Sequence, residues 1–268
     1  MSEAFGKNKK QILKDLIRQL HAGANPDEVK EKFRRHFDGI GSSEIAQIEE
    51  ELIKEGMPVE EIHRLCDIHL AVFRESLEKQ EIEVTPGHPI HTFMEEHKII
   101  LQFSEKLKAV TQEIKQAKDF NSVVEEMKQL KHITKHLMEA EKHYVREENV
   151  LFPYLEKHGI TGPPAIMWSE HTELRENKKK LHELVDKYNT ISFQDFVRQL
   201  EEVVLSITSM LSSHVYKENN ILYPTALSTI TEDEWKDIRE ECDDLGYCCF
   251  TPEEAKAAPG ETRTENRK

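Results

Sequence analysis

Apolar residues recur at helical spacing along most of this chain, most regularly between residues 89 and 227. In that region the pattern predicts four long amphipathic helices, over residues 89–117, 120–157, 164–189 and 192–227. The breaks between them are short and carry turn-forming residues: AKDFN, HGITGPP and YNTISF. Long helices joined by short connections pack as antiparallel neighbours, so the sequence predicts an all-α, up-down four-helix bundle.

The part of the chain that precedes the bundle has shorter helical patterns with frequent interruptions. Ile12, Leu16 and Leu20 lie on one apolar stripe of a first helix. Asn25 and Pro26 then supply an N-cap and a proline at the first helical position of the next helix, with acidic residues in its first turn. These signals predict several short helices rather than another long bundle segment.

The clearest domain boundary is the sequence EVTPGHP at 83–89, which combines an extended pattern with Pro and Gly. We therefore predict an N-terminal helical domain over residues 1–82 and the bundle domain over residues 83–230. Residues 231–268 are predicted to hold a short helix at TEDEWKDIREECDDL and a disordered tail. The tail is predicted to start at Thr251, where apolar residues become scarce.

Composition narrows the class of protein. The formal net charge of −14 disfavours nucleic acids and anionic membranes as partners. No apolar run approaches the roughly 20 residues that a membrane span needs, and the N-terminus lacks the apolar core of an export signal. The 4 cysteines are too few and too irregularly spaced for a disulfide framework, so we expect a cytoplasmic location. Histidine is frequent, with 14 residues, and composition does not explain it.

A repeated motif gives the histidines a role. HYVREENVLFPYL and HVYKENNILYPTA begin 71 residues apart, and each reads His-x-x-x-Glu followed by a Leu–aromatic–Pro triplet. Residues four apart lie on one helix face, so His143 and Glu147 point the same way, as do His214 and Glu218. The proline of each triplet is expected to kink or end its helix.

The apolar residues that follow each motif place this face inside the bundle. A buried, ionised glutamate is costly unless it is paired or coordinated. Matching donors occur on the other two helices: His97 in MEEHKIIL and His171 in WSEHTELR, each preceded by Glu. His97 precedes His143 by 46 residues, and His171 precedes His214 by 43. The bundle therefore reads as a doubled helical hairpin, and the repeat predicts a pseudo-symmetric dinuclear metal site.

The donor set indicates which metals would fit. Four imidazoles give each of two ions two nitrogen ligands, and two bridging carboxylates give each ion two oxygens. With a bridge from solvent each ion reaches about five ligands, which leaves an octahedral ion one open position. Imidazole and carboxylate without thiolate suit iron or manganese, with zinc as an alternative. Open positions on a redox metal bind dioxygen, peroxide or nitric oxide.

The order H…HxxxE…H…HxxxE, with LFP and LYP after the two motifs, resembles the hemerythrin-like (HHE cation-binding) domain over about residues 88–227. The resemblance implies a non-haem di-iron centre bridged by oxo, hydroxo or carboxylate groups. The ligands that it implies are His97, His143, Glu147, His171, His214 and Glu218. The first 80 residues resemble a helical domain of unknown function that often precedes such bundles in bacteria and archaea.

The chain departs from the oxygen-carrying hemerythrins of marine worms. Those proteins have a fifth histidine one turn after the third-helix ligand, where this chain has Arg175. They also have a carboxylate five residues after the fourth-helix histidine, whereas Glu218 follows His214 by four. The pattern is similar to hemerythrin-like proteins of nitric oxide response, iron-centre repair or iron sensing. We therefore do not expect reversible oxygen carriage.

Several residues near the six predicted ligands are candidates for alternative ligands or for support of a ligand. His91 and His88, one and two turns before the first-helix ligand, are either alternate ligands or hydrogen-bond partners of a ligand. Glu148 is expected to be exposed, with a role as an alternate carboxylate ligand as the other interpretation. His132 and His136 are expected to be solvated or to support a ligand.

Two cysteine-containing stretches lie outside the motif. HRLCDIH, which contains Cys66, offers a second metal site or a redox switch, although a buried thiol among ordinary helix residues is the simpler interpretation. GYCCF places Cys248 next to Cys249, and this pair would bind a metal only with distant partners. The sequence assigns no role to these cysteines.

Three classes of function follow from these patterns. The first is binding or sensing of a small diatomic ligand, peroxide or iron itself, with the signal passed to the N-terminal domain. The second is turnover of nitric oxide or peroxide, or iron delivery for iron–sulfur centre repair. A signalling protein is the expected partner for the first class, and an iron–sulfur protein for iron delivery. The third is a metal-free interaction module. The sequence does not indicate the oligomeric state.

Overall fold

The computed structural model describes residues 84–256 and, before them, residues 11–12, 14–16, 18–20, 22–36, 51, 54–56 and 58. These residues form two compact units. One unit comprises Val84–Phe152, Trp168–Val215 and the described residues from Thr231 onward. The other comprises the described residues before Val84 together with Pro153–Met167 and Tyr216–Ile230. All regular secondary structure in the described part of the chain is helical.

The N-terminal helix α1 (Pro26–His36) begins where the sequence predicts. The side-chain oxygen of Asn25 accepts a hydrogen bond from the Asp27 amide at 2.9 Å, which satisfies one of the free amides at the helix start. Acidic residues occupy the first turn, where the helix dipole favours negative charge. Leu16 and Leu20 of the predicted apolar stripe are buried.

Four helical segments follow residue 88 and match the predicted segments closely. The first segment is α2 (Pro89–Lys115). The second consists of a 3-10 turn (Phe120–Val123), α3 (Val124–Glu139), α4 (Glu141–Arg146), a π-helical turn (Glu147–Leu151) and α5 (Phe152–Lys157). The third is α6 (Gly162–Asp186), and the fourth consists of α7 (Phe193–Lys217), a second π-helical turn (Glu218–Leu222) and α8 (Tyr223–Thr229). The prediction of an all-α helical bundle is confirmed. No helix in the described part of the chain has an apolar stretch long enough to cross a bilayer.

The interior of the unit that contains α2 and α3 is built from the predicted apolar positions. Leu107, Leu130, Leu181 and Leu200, one from each helical segment, have no exposed surface and belong to one cluster. Burying a leucine side chain contributes about 2 kcal/mol, so this cluster is the main source of stability for the unit. The cluster fixes the distances between the helices that carry the predicted ligands.

Both His-x-x-x-Glu motifs run into a π-helical turn that starts at the glutamate. In each turn the amide five residues after the glutamate donates to the glutamate carbonyl. The next residue is Pro153 or Pro224, which has no amide hydrogen to donate. The helices continue past both prolines as α5 and α8, so of the two expected outcomes, a kink or an end, the end does not occur. Instead, each proline lies where the hydrogen-bond pattern returns from π to α.

The chain continues beyond the bundle into α9 (Glu232–Leu245) and the short α10 (Glu253–Lys256). Thr231 and Glu234 form a capping box at the start of α9, as TEDE at this position favours. The predicted disordered tail does not begin at Thr251, because this residue is 4% exposed and hydrogen-bonded within its own unit. Packing against α2 stabilises residues whose composition alone is typical of a tail.

Candidate metal centre

The four histidines predicted as ligands form two pairs. The Nε2 atoms of His97 and His143 lie 3.1 Å apart, and the Nε2 atoms of His171 and His214 also lie 3.1 Å apart. All four side chains are almost fully buried. Each pair joins the two helical segments of one half of the repeat, which is the arrangement that a doubled hairpin predicts.

Among the described residues, a carboxylate holds the other ring nitrogen of His143, His171 and His214. The pairs of carboxylate acceptor and Nδ1 donor are Glu96 with His143 (2.7 Å), Glu148 with His171 (2.8 Å) and Glu170 with His214 (2.8 Å). An ionised carboxylate can only accept a hydrogen bond, so Nδ1 carries the proton in each ring. In the neutral form that a metal ligand requires, the Nε2 atom of each ring presents a lone pair to the bundle interior.

These hydrogen bonds make the second histidine pair a good fit for a metal ion. The Nδ1 atoms of His171 and His214 are both committed, so in the neutral form of both rings the Nε2 lone pairs face each other and repel. A cation that binds both nitrogens removes the repulsion. Two nitrogen ligands at right angles, with metal–nitrogen bonds of about 2.1 Å, lie about 3 Å apart. The observed 3.1 Å separation fits two ligands of one ion.

Glu147 lies between the two histidine pairs. Its Oε2 atom is 3.5 Å from Nε2 of His143 and 3.4 Å from Nε2 of His171. The side chain has no exposed surface. A carboxylate within reach of one histidine from each pair is positioned to bridge two ions.

The donor atoms form two groups, each compact enough for one ion. One group contains Glu147, His171, His214 and Glu218; the other contains His97, His143 and Glu218; within each group the atoms lie within 4.8 Å of one another. Together the groups include all six residues that the sequence predicts as ligands. They offer imidazole nitrogen and carboxylate oxygen without thiolate, the combination suited to iron or manganese.

Glu96 accepts hydrogen bonds from three residues. Both of its oxygens lie 2.5 Å from the Arg146 guanidinium, and the Thr251 hydroxyl donates to Oε1. Burial alone would raise the pKa of Glu96, but the hydrogen bond from His143 and the charge of Arg146 lower this pKa to about 2. Glu96 is therefore ionised at neutral pH and remains an acceptor for His143.

Arg175, which replaces the extra histidine of the oxygen carriers, supports a different ligand. Its guanidinium makes two hydrogen bonds of 2.8 Å to Glu148 and another of 2.8 Å to Glu141. Glu148 in turn accepts from His171, and these hydrogen bonds keep the Glu148 pKa below its ordinary value although burial would raise it. Glu148 is 7% exposed, so the expectation that it is exposed is wrong.

Aromatic side chains surround the histidines and exclude water from them. The Tyr144 ring stacks on His171 at a centroid distance of 4.3 Å, and Phe93 meets the His143 ring edge-on at 5.1 Å. Lys178 lies on the Tyr144 ring, with Nζ 4.3 Å from the ring centroid. The Lys178 side chain is buried, and this burial lowers its pKa to about 8.

The two alternate histidines at the start of α2 have other contacts. The Nδ1 atom of His88 accepts a hydrogen bond from the Ile90 amide at 3.1 Å, which makes His88 the N-cap of α2. Burial lowers the pKa of His88 to about 4, so this ring is a neutral acceptor at physiological pH. His91 lies 3.8 Å from Glu95. In the described part of the chain, neither His88 nor His91 belongs to a group of donor atoms that could hold an ion.

The remaining histidines and cysteines of interest have different surroundings. His132 is exposed, and His136 stacks on Phe103 at 4.8 Å with its Nδ1 atom 3.5 Å from the exposed Cys249 thiol. Cys248 is buried, and burial raises its pKa to about 12, so it is a neutral thiol. The stretch HRLCDIH, with Cys66, lies outside the described residues.

Sequence reasoning did not assign a role to Glu96 and Glu170. Each directly precedes a ligand histidine, and the pairs Glu96-His97 and Glu170-His171 are visible in the sequence. In the structure each of these glutamates holds the histidine of the following helical segment in the same half of the repeat. The signal was therefore the Glu-His dipeptide at matching positions of both halves.

Comparison with protein families agrees with this geometry. The family described as hemerythrin HHE cation binding domain matches residues 88–226, which is more than half of the chain. A second family, described only as a family of unknown function (DUF438), matches residues 13–79. The chain belongs to the hemerythrin HHE cation-binding domain family and carries the second domain ahead of it. No curated protein matches the chain.

Proposed function

We propose that this protein binds a pair of iron ions and uses them to bind or sense a small diatomic ligand, peroxide or iron itself. The proposed ligands are His97, His143, Glu147, His171, His214 and Glu218. The observation that carries the proposal is the pair of Nε2 atoms of His171 and His214, which lie 3.1 Å apart while both Nδ1 atoms are committed to carboxylates.

The donor set favours iron over zinc as the native metal. Structural zinc sites are closed by four ligands and commonly use thiolates. Here four imidazoles and two carboxylates are available for two ions, and this mixture suits a redox metal with an exchangeable position. When bound, the iron pair supplies that position and one-electron exchange.

The protein residues restrict what can reach the ions. All six proposed ligands are buried, and the rings of Tyr144 and Phe93 lie directly on the histidines. Such a site admits a diatomic molecule or peroxide more readily than a larger substrate. Arg175 and Glu148 form an ion pair where oxygen carriers have a further histidine, so this site differs from that of a reversible oxygen carrier.

The sensing proposal includes the N-terminal domain as the receiver of the signal. The support is that the chain joins the domain matched at residues 13–79 to the cation-binding domain. A change in the oxidation state of the ions, or binding of a small molecule to them, would change the charge at the six ligands. A change of charge in a buried site alters the packing of the helices that carry these ligands.

An anaerobic mixing experiment tests the proposal. Protein loaded with ferrous iron is mixed with increasing nitric oxide, oxygen or hydrogen peroxide, and the optical spectrum and ligand consumption are followed together. For a sensor we expect a spectral change that saturates near one equivalent of ligand per iron pair. Continued consumption of many equivalents would contradict sensing and support turnover, and metal-free protein is the control. Absence of any spectral change with all three ligands would contradict both sensing and turnover of these ligands and would leave iron itself as the sensed species.

A further inference from the structure

The chain beyond the cation-binding match returns to the proposed metal centre. The match ends at residue 226, and we call the residues Thr231–Lys256 the C-terminal segment. This segment contacts α2, α4 and the first π-helical turn, which all belong to the first half of the repeat. Its position therefore brings it next to the residues that support His143.

Several contacts hold the C-terminal segment against α2. The hydroxyl of Thr92 donates to the carbonyl of Ala255 at 2.6 Å, and Arg239 donates to the carbonyl of Gly87 at 2.5 Å. Phe250 packs edge-on against Phe103 with a centroid distance of 5.7 Å. These contacts fix the backbone on both sides of Thr251.

Thr251 completes the hydrogen bonds of Glu96. Oε2 of Glu96 accepts from His143, the Arg146 guanidinium contacts both oxygens, and the Thr251 hydroxyl donates to Oε1. Glu96 has no exposed surface and Thr251 is 4% exposed. Thr251 holds Oε1 from the C-terminal segment and, together with Arg146, keeps the carboxylate in the rotation that presents Oε2 to His143.

We propose that Thr251 is a positioning residue for one half of the metal centre, acting through Glu96 on His143. This inference rests on the proposed metal centre. Carboxylates that hold a ligand histidine fix its tautomer and ring orientation, and their loss weakens metal binding 10–100-fold. The other supporting carboxylate with a known anchor, Glu148, is fixed by Arg175 rather than by the C-terminal segment. Thr251 therefore acts on the ion bound by His97 and His143, and the two ions become inequivalent.

Three variants of the full-length protein test this role. Thr251→Val removes the hydroxyl at nearly constant volume, and Thr251→Ser keeps it. Thr92→Val is the matched control, because Thr92 is also buried and also bonds the C-terminal segment, yet its hydroxyl bonds to backbone carbonyls and makes no hydrogen bond to Glu96. Should Thr251→Val fail to fold, Thr251→Ala takes its place.

The first measurement is anaerobic titration with ferrous iron against a competing chelator. We expect Thr251→Val to weaken one of the two sites by about 10-fold, the lower end of the range for loss of a supporting partner, and to leave the other within about 3-fold. Thr251→Ser and Thr92→Val are expected to keep both affinities. Equal effects of Thr251→Val and Thr92→Val, or equal weakening of both sites by Thr251→Val, would overturn the proposal and make the segment a scaffold only.

A second measurement needs no metal and separates this inference from the proposed function. Nitrogen NMR of metal-free protein reports which ring nitrogen of His143 carries the proton. We expect a single Nδ1-protonated form in the parent protein, in Thr251→Ser and in Thr92→Val, and a mixture in Thr251→Val. An unchanged single form in Thr251→Val would refute the positioning role. If the parent protein binds no iron while this NMR difference is present, the proposed function fails and the positioning role stands.

Discussion

Replacing Glu147 by Gln is expected to remove one ion from the centre and most of the stabilisation that this ion provides. Oε2 of Glu147 lies 3.5 Å and 3.4 Å from one histidine of each pair, so this carboxylate is placed to contact both ions. An amide has nearly the same shape as a carboxylate but carries no charge and is a weak ligand. A ligand present at a thousand times its Kd stabilises the folded state by about 4 kcal/mol.

The measurement is denaturant unfolding without oxygen, with and without excess ferrous iron. The parent protein should gain about 8 kcal/mol from two such ions, and Glu147→Gln should lose at least half of this gain. Glu156→Gln is the matched control, because Glu156 is exposed on α5 and should behave like the parent protein. An unchanged iron-dependent gain in Glu147→Gln would exclude Glu147 as a ligand.

Replacing Lys178 by Met is expected to stabilise the metal-free protein by about 2 kcal/mol at pH 7. Lys178 is 2% exposed, and its Nζ atom has no hydrogen-bond partner among the described residues. Burial lowers its pKa from an ordinary value of 10.5 to about 8, which corresponds to about 3 kcal/mol of lost stability. The contact of Nζ with the Tyr144 ring contributes about 1 kcal/mol to stability and is lost in the variant. The net stabilisation expected for the variant is therefore about 2 kcal/mol.

The pH dependence of this effect has a definite sign. Below pH 8 the lysine is protonated in both states, and the full penalty of the buried charge is present. Between pH 8 and 10.5 the unfolded chain binds the proton more tightly than the folded protein, so the free energy of unfolding of the parent protein rises with pH. Above pH 10.5 both states are neutral and the penalty disappears.

Unfolding in the presence of a chelator, from pH 7 to pH 10.5, measures this difference. Lys178→Met should exceed the parent protein in stability at pH 7, and the advantage should shrink as the pH rises. Lys179→Met is the matched control, because Lys179 is the exposed neighbour and its replacement should change stability by less than about 0.5 kcal/mol. A Lys178→Met variant that is less stable than the parent at pH 7 would contradict the account.

Helix periodicity explains why the sequence predicts so much of the fold and of the candidate ligands. The positions of His and Glu four residues apart fix one face of a helix, whatever lies around it. The matching spacings of His97–His143 and His171–His214 then follow from helix length and short loops. These are local properties, and local properties are readable from one sequence.

The residues that sequence reasoning missed depend on contacts between distant segments. Glu96 lies on α2 one residue before His97 and therefore on a different face of the helix. It meets His143 only because the neighbouring helical segment packs against α2. Thr251 is 155 residues from Glu96 in sequence. No periodicity along the chain encodes either contact.

The error on Glu148 has a local cause. An α-helix turns by about 100° per residue, which would direct the residue after Glu147 away from the interior. The π-helical turn at 147–151 has wider, i to i+5 hydrogen bonds and turns less per residue, so Glu148 stays close to the inward face. The proline six residues after each glutamate was the visible sign of this turn.

The most direct test of the central claim is the iron content of the protein after anaerobic loading with ferrous iron and removal of loosely bound metal. The account predicts about two irons per chain for the parent protein, and fewer for His171→Ala and His214→Ala, because each removes one nitrogen of the 3.1 Å pair. His132→Ala, which removes an exposed histidine outside the cluster, should keep the full iron content. A parent protein that retains no iron, or ligand variants that retain as much as the parent, would contradict it.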